Sequence, residues 1–195
     1  MKDLTRTEKQ RALRSITLVK MKRCGRVKGR TVADGRKQRD YVTKDESTSP
    51  TVSIEGLMIT IAIDAKEKRA VATADVEGAY LHADMDEVVI MLFEGEIVDY
   101  MVQANPDRYG PYVHTTKDGK KLLYVELLKA LYGCIKSALL WYNLFTSTLQ
   151  EMGFTLNPYA RCVANKTING KQSTICWHVD DLKIWLLYTS TSPRD

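Results

Sequence analysis

Asp180 and Asp181 are adjacent carboxylates set between two short apolar runs, Ser173-Thr174-Ile175-Cys176-Trp177 and Leu182-Lys183-Ile184-Trp185-Leu186-Leu187. Runs rich in β-branched and aromatic residues, broken by two turn-forming acids, predict a β-hairpin with the acids at its tip. Two carboxylates on a rigid tip repel each other, and a cation would neutralise them. Asp-Asp is also a common turn dipeptide, so the pair gains meaning only from the rest of the chain.

A second acid gives it that context. Arg69-Ala70-Val71-Ala72-Thr73-Ala74-Asp75-Val76 predicts a buried strand of small and β-branched residues ending at a carboxylate, and Glu77-Gly78-Ala79-Tyr80-Leu81 turns away from it. By itself Asp75 reads more simply as a cap for that turn. If its strand and the hairpin lie in one sheet, three carboxylates converge. Such a set suits two Mg²⁺ ions, which bind a few carboxylates and take further oxygens from substrate phosphates. Two metals of this kind activate a 3′-hydroxyl and stabilise a pyrophosphate leaving group. The chemistry implied is nucleotidyl transfer.

The charge distribution adds a polyanion partner. Residues 1–50 hold 15 Lys/Arg against 6 Asp/Glu, whereas the remainder holds 14 against 18. The basic front contains Ser15 to Lys22, a Gly-bearing turn at Arg23-Cys24-Gly25-Arg26, and Val27 to Ala33. This is the pattern of a hairpin studded with Lys20, Lys22, Arg23, Arg26, Lys28 and Arg30. Arginine forks on such a hairpin grip phosphates. A merely solvated basic face is the plainer alternative.

Around these features the sequence predicts a helix over 4–19 with a Thr5 cap, and a polar loop from Asp34 to Pro50. A helix capped by Ser53 follows over 54–68, with Leu57, Met58, Ile61, Ala62 and Ala65 as core contacts. Strands are predicted at 87–93, 122–125, 162–166 and 172–177, the last two joined by Asn169-Gly170, a strong hairpin signal. Residues 94–119 read as mixed with several turns. A helix from Ser137 to Met152 presents Leu140, Trp141, Leu144, Phe145, Thr148, Leu149 and Met152 on one face, with Gly153 as its C-cap. At 195 residues, 44% of them hydrophobic, the chain has material for one domain or one and a half. No apolar run approaches the roughly 20 residues of a membrane helix. The N-terminus lacks an apolar signal core, so neither membrane nor secretion is expected. Cys24, Cys134, Cys162 and Cys176 are scattered, which suggests reduced thiols in an intracellular setting.

Taken in order, several stretches resemble the reverse transcriptase of Ty1/copia-type LTR retrotransposons. They are Lys28-Gly29-Arg30-Thr31-Val32-Ala33-Asp34-Gly35, Ser49-Pro50-Thr51-Val52-Ser53, Asp75-Val76-Glu77-Gly78-Ala79-Tyr80-Leu81, Lys129-Ala130-Leu131-Tyr132-Gly133, Trp141-Tyr142, Gly153-Phe154 and the Asp-Asp at 180–181. Each is weak alone; in the family's order and spacing they are specific. The resemblance implies an α+β fold. Its palm would be an antiparallel sheet with packed helices over 51–187, and a basic fingers-like region with a hairpin would occupy 1–50.

Several residue roles follow from the resemblance. Asp75, Asp180 and Asp181 would be the catalytic, metal-binding acids, with the Val76 carbonyl as a further ligand and Mg²⁺ or Mn²⁺ as cofactor. Val76, Ala79 and Tyr80 would flank the nucleotide, the Tyr80 ring excluding a 2′-hydroxyl. Arg30, with Lys22 or Arg23, would contact the triphosphate, and Lys136 would meet a phosphate. The implied partners are an RNA template, a DNA primer, deoxynucleoside triphosphates and the rest of a polyprotein (thumb, RNase H, integrase). The implied location is cytoplasmic, in the parent element's virus-like particle.

Three departures from the family pattern stand out. His178 occupies the usual Tyr position before Val-Asp-Asp. The loop Leu131-Tyr132-Gly133-Cys134-Ile135-Lys136-Ser137-Ala138 replaces the usual Gln and Pro with Lys136 and Ala138. After Trp185 the chain no longer follows the family, so truncation before thumb and RNase H is expected, with 188–195 a non-homologous tail. The chain alone is then expected to polymerise poorly. An inactive nucleic-acid-binding remnant is the alternative reading, and a nuclease using the same acids ranks below it.

Overall fold

Turn chemistry and β-branched runs build two separate sheets, each with its own core. The computed structural model describes residues 4–186; the expected tail at 188–195 lies outside the described residues. In chain order the elements are α1 (Arg6–Arg11), β1 (Leu13–Met21), β2 (Val27–Ala33), α2 (Ile54–Lys66), β3 (Ala70–Asp75), β4 (Asp84–Glu94), α3 (Glu96–Ala104), α4 (Pro106–Tyr109), β5 (His114–Thr115), β6 (Lys121–Lys129), α5 (Ser137–Glu151), β7 (Thr155–Leu156), β8 (Val163–Ile168), β9 (Lys171–His178) and β10 (Asp181–Leu186). The mixture is α+β. No described helix is long and apolar enough to cross a membrane.

One unit is formed by the chain up to Ser47 with Ala83–Leu140, the other by Thr48–His82 with the chain from Trp141 onward. The stretch 51–187, expected to act as one region, is therefore divided: 83–140 packs with the basic N-terminal part. Sequence order hides this because β4, β5 and β6 join the sheet of β1 and β2 from more than fifty residues away.

The first unit's sheet has strand order β2-β1-β4-β6-β5. Its β1–β2 hairpin is fully antiparallel from Ser15–Ala33 to Met21–Val27, and Gly25 closes the turn at a φ of +78°. Thr5 caps α1 through a reciprocal capping box with Glu8. The helix expected over 4–19 stops after six residues. Ile16, Thr17 and Val19 are β-branched, and pairing with β2 satisfies their backbone where a helix would crowd their side chains. Leu13, Met91, Val98 and Leu123 are fully buried at the centre of this unit. The mixed stretch 94–119 contains two short helices, α3 and α4, the second started by Asn105 capping and Pro106 at its first position.

The second unit's sheet is antiparallel throughout, in the order β3-β10-β9-β8-β7. Asn169 (φ +50°) and Gly170 (φ +74°) form the predicted β8–β9 turn. From Trp141 onward α5 contributes to its core, where Leu149, Phe154, Cys162, Ala164, Ile175 and Trp177 cluster. Gly153, at φ +84°, ends the helix as expected. Leu144 and Met152 are exposed rather than core. All four cysteines are free, and only Cys24 is exposed.

Two expectations fail in this unit. β3 is an edge strand, and Val71, Thr73, Ala74 and Asp75 are exposed; its small β-branched composition resembles that of a buried strand. On α2, Met58 and Ile61 are 57% and 43% exposed, and the buried side chains are Thr60 and Asp64. Asp64 is ion-paired to Lys183 of β10 and lies 3.8 Å from Arg69, while Lys183 Nζ donates to Thr60 Oγ1 at 3.0 Å. The helix thus meets the sheet through a buried polar cluster rather than through its apolar stripe.

Candidate active site

The predicted acid-tipped hairpin forms between β9 and β10. Its arms close with Asp181 opposite His178, leaving Val179 and Asp180 as the connection. Val179 has a φ of +58°. A β-branched residue in the left-handed region is strained by about 1–3 kcal/mol and persists only where its surroundings hold it. Trp141 of α5 supplies one restraint, donating its indole Nε1–H to the Val179 carbonyl at 2.8 Å.

On its other side β10 pairs with β3, and the register sets Asp75 directly opposite Asp181. Directly opposed residues on adjacent antiparallel strands project to the same face with Cβ atoms about 4.5–5.5 Å apart. The Val76 N–H donates to the Asp180 carbonyl at 2.9 Å, continuing the ladder one step past the strand end. Asp75, Asp181 and His178 therefore form one row across three strands.

After Val76 the chain turns through Gly78 (φ +66°) into a short 3₁₀ helix, Ala79–His82. The Val76 carbonyl accepts from the Ala79 N–H at 3.1 Å, so one lone pair of the expected carbonyl ligand is already engaged. Ala79 is fully buried and fixes the turn, while Tyr80 is half-buried. Burial, and then the charge of Asp180, push the Tyr80 phenol above its ordinary pKa. The second unit thus brings together Asp75, Val76, Ala79, Tyr80, Asp180 and Asp181.

Arg30, Lys22, Arg23 and Lys136 belong to the first unit. Lys22 and Arg23 are exposed at the end of the β1–β2 hairpin, and the Lys22 N–H donates to the Arg26 carbonyl at 2.8 Å. Arg30 lies over the Tyr132 ring at 5.2 Å. Lys136, expected to meet a phosphate, bonds Asp86 at 2.7 Å and lies 3.6 Å from Glu87. The Asp86 hydrogen bond raises its pKa above the ordinary lysine value. Nearby, the Tyr132 carbonyl accepts from the Ala33 N–H at 2.8 Å. A side chain at Gly133 (φ +96°) would meet the Ala33 carbonyl oxygen at 1.9 Å. Two of the motif stretches, around Ala33 and around Gly133, are therefore one tightly packed feature.

The acids supply hard oxygen donors suited to Mg²⁺. Among the described residues no group of three or more His, Cys, Asp or Glu side chains is gathered tightly enough to hold a metal ion. The facing pair of Asp75 and Asp181, with Asp180 beside it, still fits a cation that takes one or two carboxylates and completes its shell from water and substrate phosphates. Sequence reasoning gave Trp141 no role in the hairpin and missed Lys183 beneath α2. A tryptophan in an apolar helical face reads simply as core, and nothing local to Lys183 points to Asp64.

The sequence profile described as "Reverse transcriptase (RNA-dependent DNA polymerase)" matches residues 6–187. Over 181 residues the chain is 27% identical to the retrovirus-related Pol polyprotein from transposon TNT 1-94 of Nicotiana tabacum, covering 90% of this chain and 12% of that protein. Over 193 residues it is 26% identical to the transposon Ty1-DR4 Gag-Pol polyprotein of Saccharomyces cerevisiae, covering 98% of this chain and 10% of that one. The chain thus spans about a tenth of the length of these relatives. No solved structure matches it.

Proposed function

Because the chain belongs to the reverse transcriptase (RNA-dependent DNA polymerase) family, in its Ty1/copia retrotransposon type, we propose that it is the fingers and palm portion of an RNA-directed DNA polymerase from a retrotransposon polyprotein. The observation that carries this reading is the β3–β10 register, which sets Asp75 opposite Asp181 and ties the Asp180 carbonyl to Val76. Asp75 and Asp181 face each other at one end of their sheet, and Asp180 adjoins Asp181 in the chain.

In this reading Asp75 and Asp180 hold two Mg²⁺ or Mn²⁺ ions, with Asp181 in support and the free lone pair of the Val76 carbonyl as a further donor. When bound, the ions supply Lewis-acid activation of a primer 3′-hydroxyl and stabilise the pyrophosphate leaving group. The chain's own residues orient the reactants. Tyr80, standing after the rigid Gly78-Ala79 turn, lies under the sugar of the incoming deoxynucleotide. Arg30, Lys22 and Arg23 bind its triphosphate or the template backbone. Lys136 has a structural role through Asp86. The RNA template, the DNA primer and the remaining polyprotein regions are the partners, in a cytoplasmic particle.

The test is primer extension on an RNA template by a complete polyprotein-derived polymerase carrying residues 6–187 of this chain. Asp180→Asn should lower the rate by about 100-fold or more, the loss of roughly 3 kcal/mol of metal-borne stabilisation. An unchanged rate would overturn the assignment. The second reading, a binding remnant, is favoured by the exposure of Lys20, Lys22, Arg23, Arg26 and Lys28 along the hairpin. It predicts RNA binding that weakens steeply with salt and no metal-dependent extension.

A further inference from the structure

We propose that Trp141 is a positioning residue for the acidic hairpin, its indole N–H holding the turn that carries Asp180 and Asp181 in a conformation valine does not adopt unaided. The inference rests on the reading of those acids as cation ligands. Val179 sits at φ +58°, where a β-branched side chain crowds the backbone. In that conformation its carbonyl points to Trp141 Nε1, 2.8 Å away. Returning Val179 to ordinary β geometry would rotate the Val179–Asp180 peptide and break this bond.

The donor itself cannot follow such a rotation. Trp141 is buried and stacks on Phe145, with ring centroids 5.3 Å apart. Phe145 in turn meets Trp177 edge-on at 5.2 Å. Trp177 lies in the arm that leads into the turn and is itself buried, so the indole is clamped by the element it restrains. A buried indole N–H also needs an acceptor, which makes the bond costly to lose from both sides.

The next carbonyl along is pinned as well. The Asp180 carbonyl accepts from the Val76 N–H at 2.9 Å. Two successive peptide oxygens are thus fixed, one by α5 and one by the end of β3. The Asp180 Cα between them has little freedom, and the direction in which its Cα–Cβ bond leaves the backbone is set by the protein rather than by the cation. Phenylalanine at 141 would fill the same space without the donor, so packing and positioning are separable.

The experiment compares the 195-residue chain with Trp141→Phe, Val179→Gly and the double variant. Two readouts are used: hydrogen exchange of the Val76 amide without metal, and Mn²⁺ binding followed by loss of the free-ion electron paramagnetic resonance signal. Glycine occupies positive φ without strain, so it removes the need for the restraint. Trp141→Phe should speed Val76 exchange and weaken Mn²⁺ binding by roughly fivefold or more with Val179 in place, and by much less with glycine there. A lower unfolding midpoint with unchanged exchange and Mn²⁺ binding would overturn the proposal. Equal losses in both backgrounds would also overturn it, since that is the mark of packing alone. Asp75→Asn separates the underlying reading: if it leaves Mn²⁺ affinity intact, the cation site is wrong, and Val76 exchange still decides whether Trp141 holds the turn.

Discussion

Asp75 and Asp181 face each other across the β3–β10 ladder, one at the end of its strand and the other at the start. Like charges directly opposite on neighbouring strands destabilise a sheet by roughly 0.2–1 kcal/mol. The fold tolerates this because the ladder continues past them through the Val76–Asp180 hydrogen bond. Asp181→Asn is therefore expected to raise stability by an amount in that range. Saturating Mg²⁺ should narrow or reverse the difference, because the ion stabilises only the protein that binds it. Urea titrations with and without Mg²⁺ check both halves. A destabilised Asp181→Asn chain would mean that the carboxylate is already balanced by the protein.

Two hairpins were legible because Gly25 and Asn169-Gly170 sit where the backbone needs a positive φ, whereas the acidic hairpin turns at Val179-Asp180, with the positive φ on Val179 and Asp181 already in β10. The acid pairing was legible only as a condition, that the Asp75 strand and the Asp-Asp hairpin share a sheet. The burial of β3 was misread because an edge strand and a central one of this composition look the same. The orientation of α2 was misread for a different reason. Leu57, Met58 and Ile61 recur at helical spacing, but the helix is fixed by Asp64 meeting a lysine 119 positions away. The division into two units was hidden too, because the chain leaves the first unit at Thr48 and returns at Ala83.

That buried cluster yields a stability prediction. Asp64 lies between Lys183 and Arg69 with all three side chains largely out of solvent. Asp64→Ala leaves the largely buried Lys183 without its carboxylate and is expected to lower stability by about 3–5 kcal/mol. Asp64→Leu combined with Lys183→Met removes both the charge pair and its desolvation penalty, and should recover most of the loss. Arg69 keeps Glu67 at 2.8 Å and the Trp185 ring at 4.9 Å. Chemical denaturation of the three chains checks the order. If Asp64→Ala unfolds at the wild-type midpoint, the cluster does not hold α2.

Acid sensitivity has an identifiable source in the first unit. The Asp34 carboxylate accepts from Arg36 Nε at 2.9 Å and Nη2 at 2.6 Å, and more weakly from the Arg36 backbone N–H at 3.3 Å. The arginine hydrogen bonds pull its pKa from 3.8 to about 2. A carboxylate depressed on folding contributes stability that is fully present above its unfolded pKa and is lost as pH falls through the folded one. The expected window is therefore between 3.8 and about 2. Thermal unfolding followed down through this range should fall more steeply for the wild type than for Asp34→Asn, the two curves converging at its acid end. Parallel curves would assign the acid limb to other groups.

Tyr80 offers the sharpest test of nucleotide choice. Its ring follows the buried Ala79 and the Gly78 turn, so its backbone has little room to retreat. Its phenol is close enough to Asp180 for that charge to raise its pKa. If the ring lies under the sugar of the incoming nucleotide, a 2′-hydroxyl collides with it. In the complete polymerase carrying residues 6–187, Tyr80→Ala should then admit ribonucleotides about 10- to 100-fold more readily relative to deoxynucleotides, the scale of steric discrimination in a shaped pocket. Tyr80→Phe retains the ring and should keep the selectivity while freeing Asp180 of its neighbouring hydroxyl. Single-nucleotide incorporation ratios separate the cases. Equal ribonucleotide exclusion in all three enzymes would return Tyr80 to a packing role beside the acids.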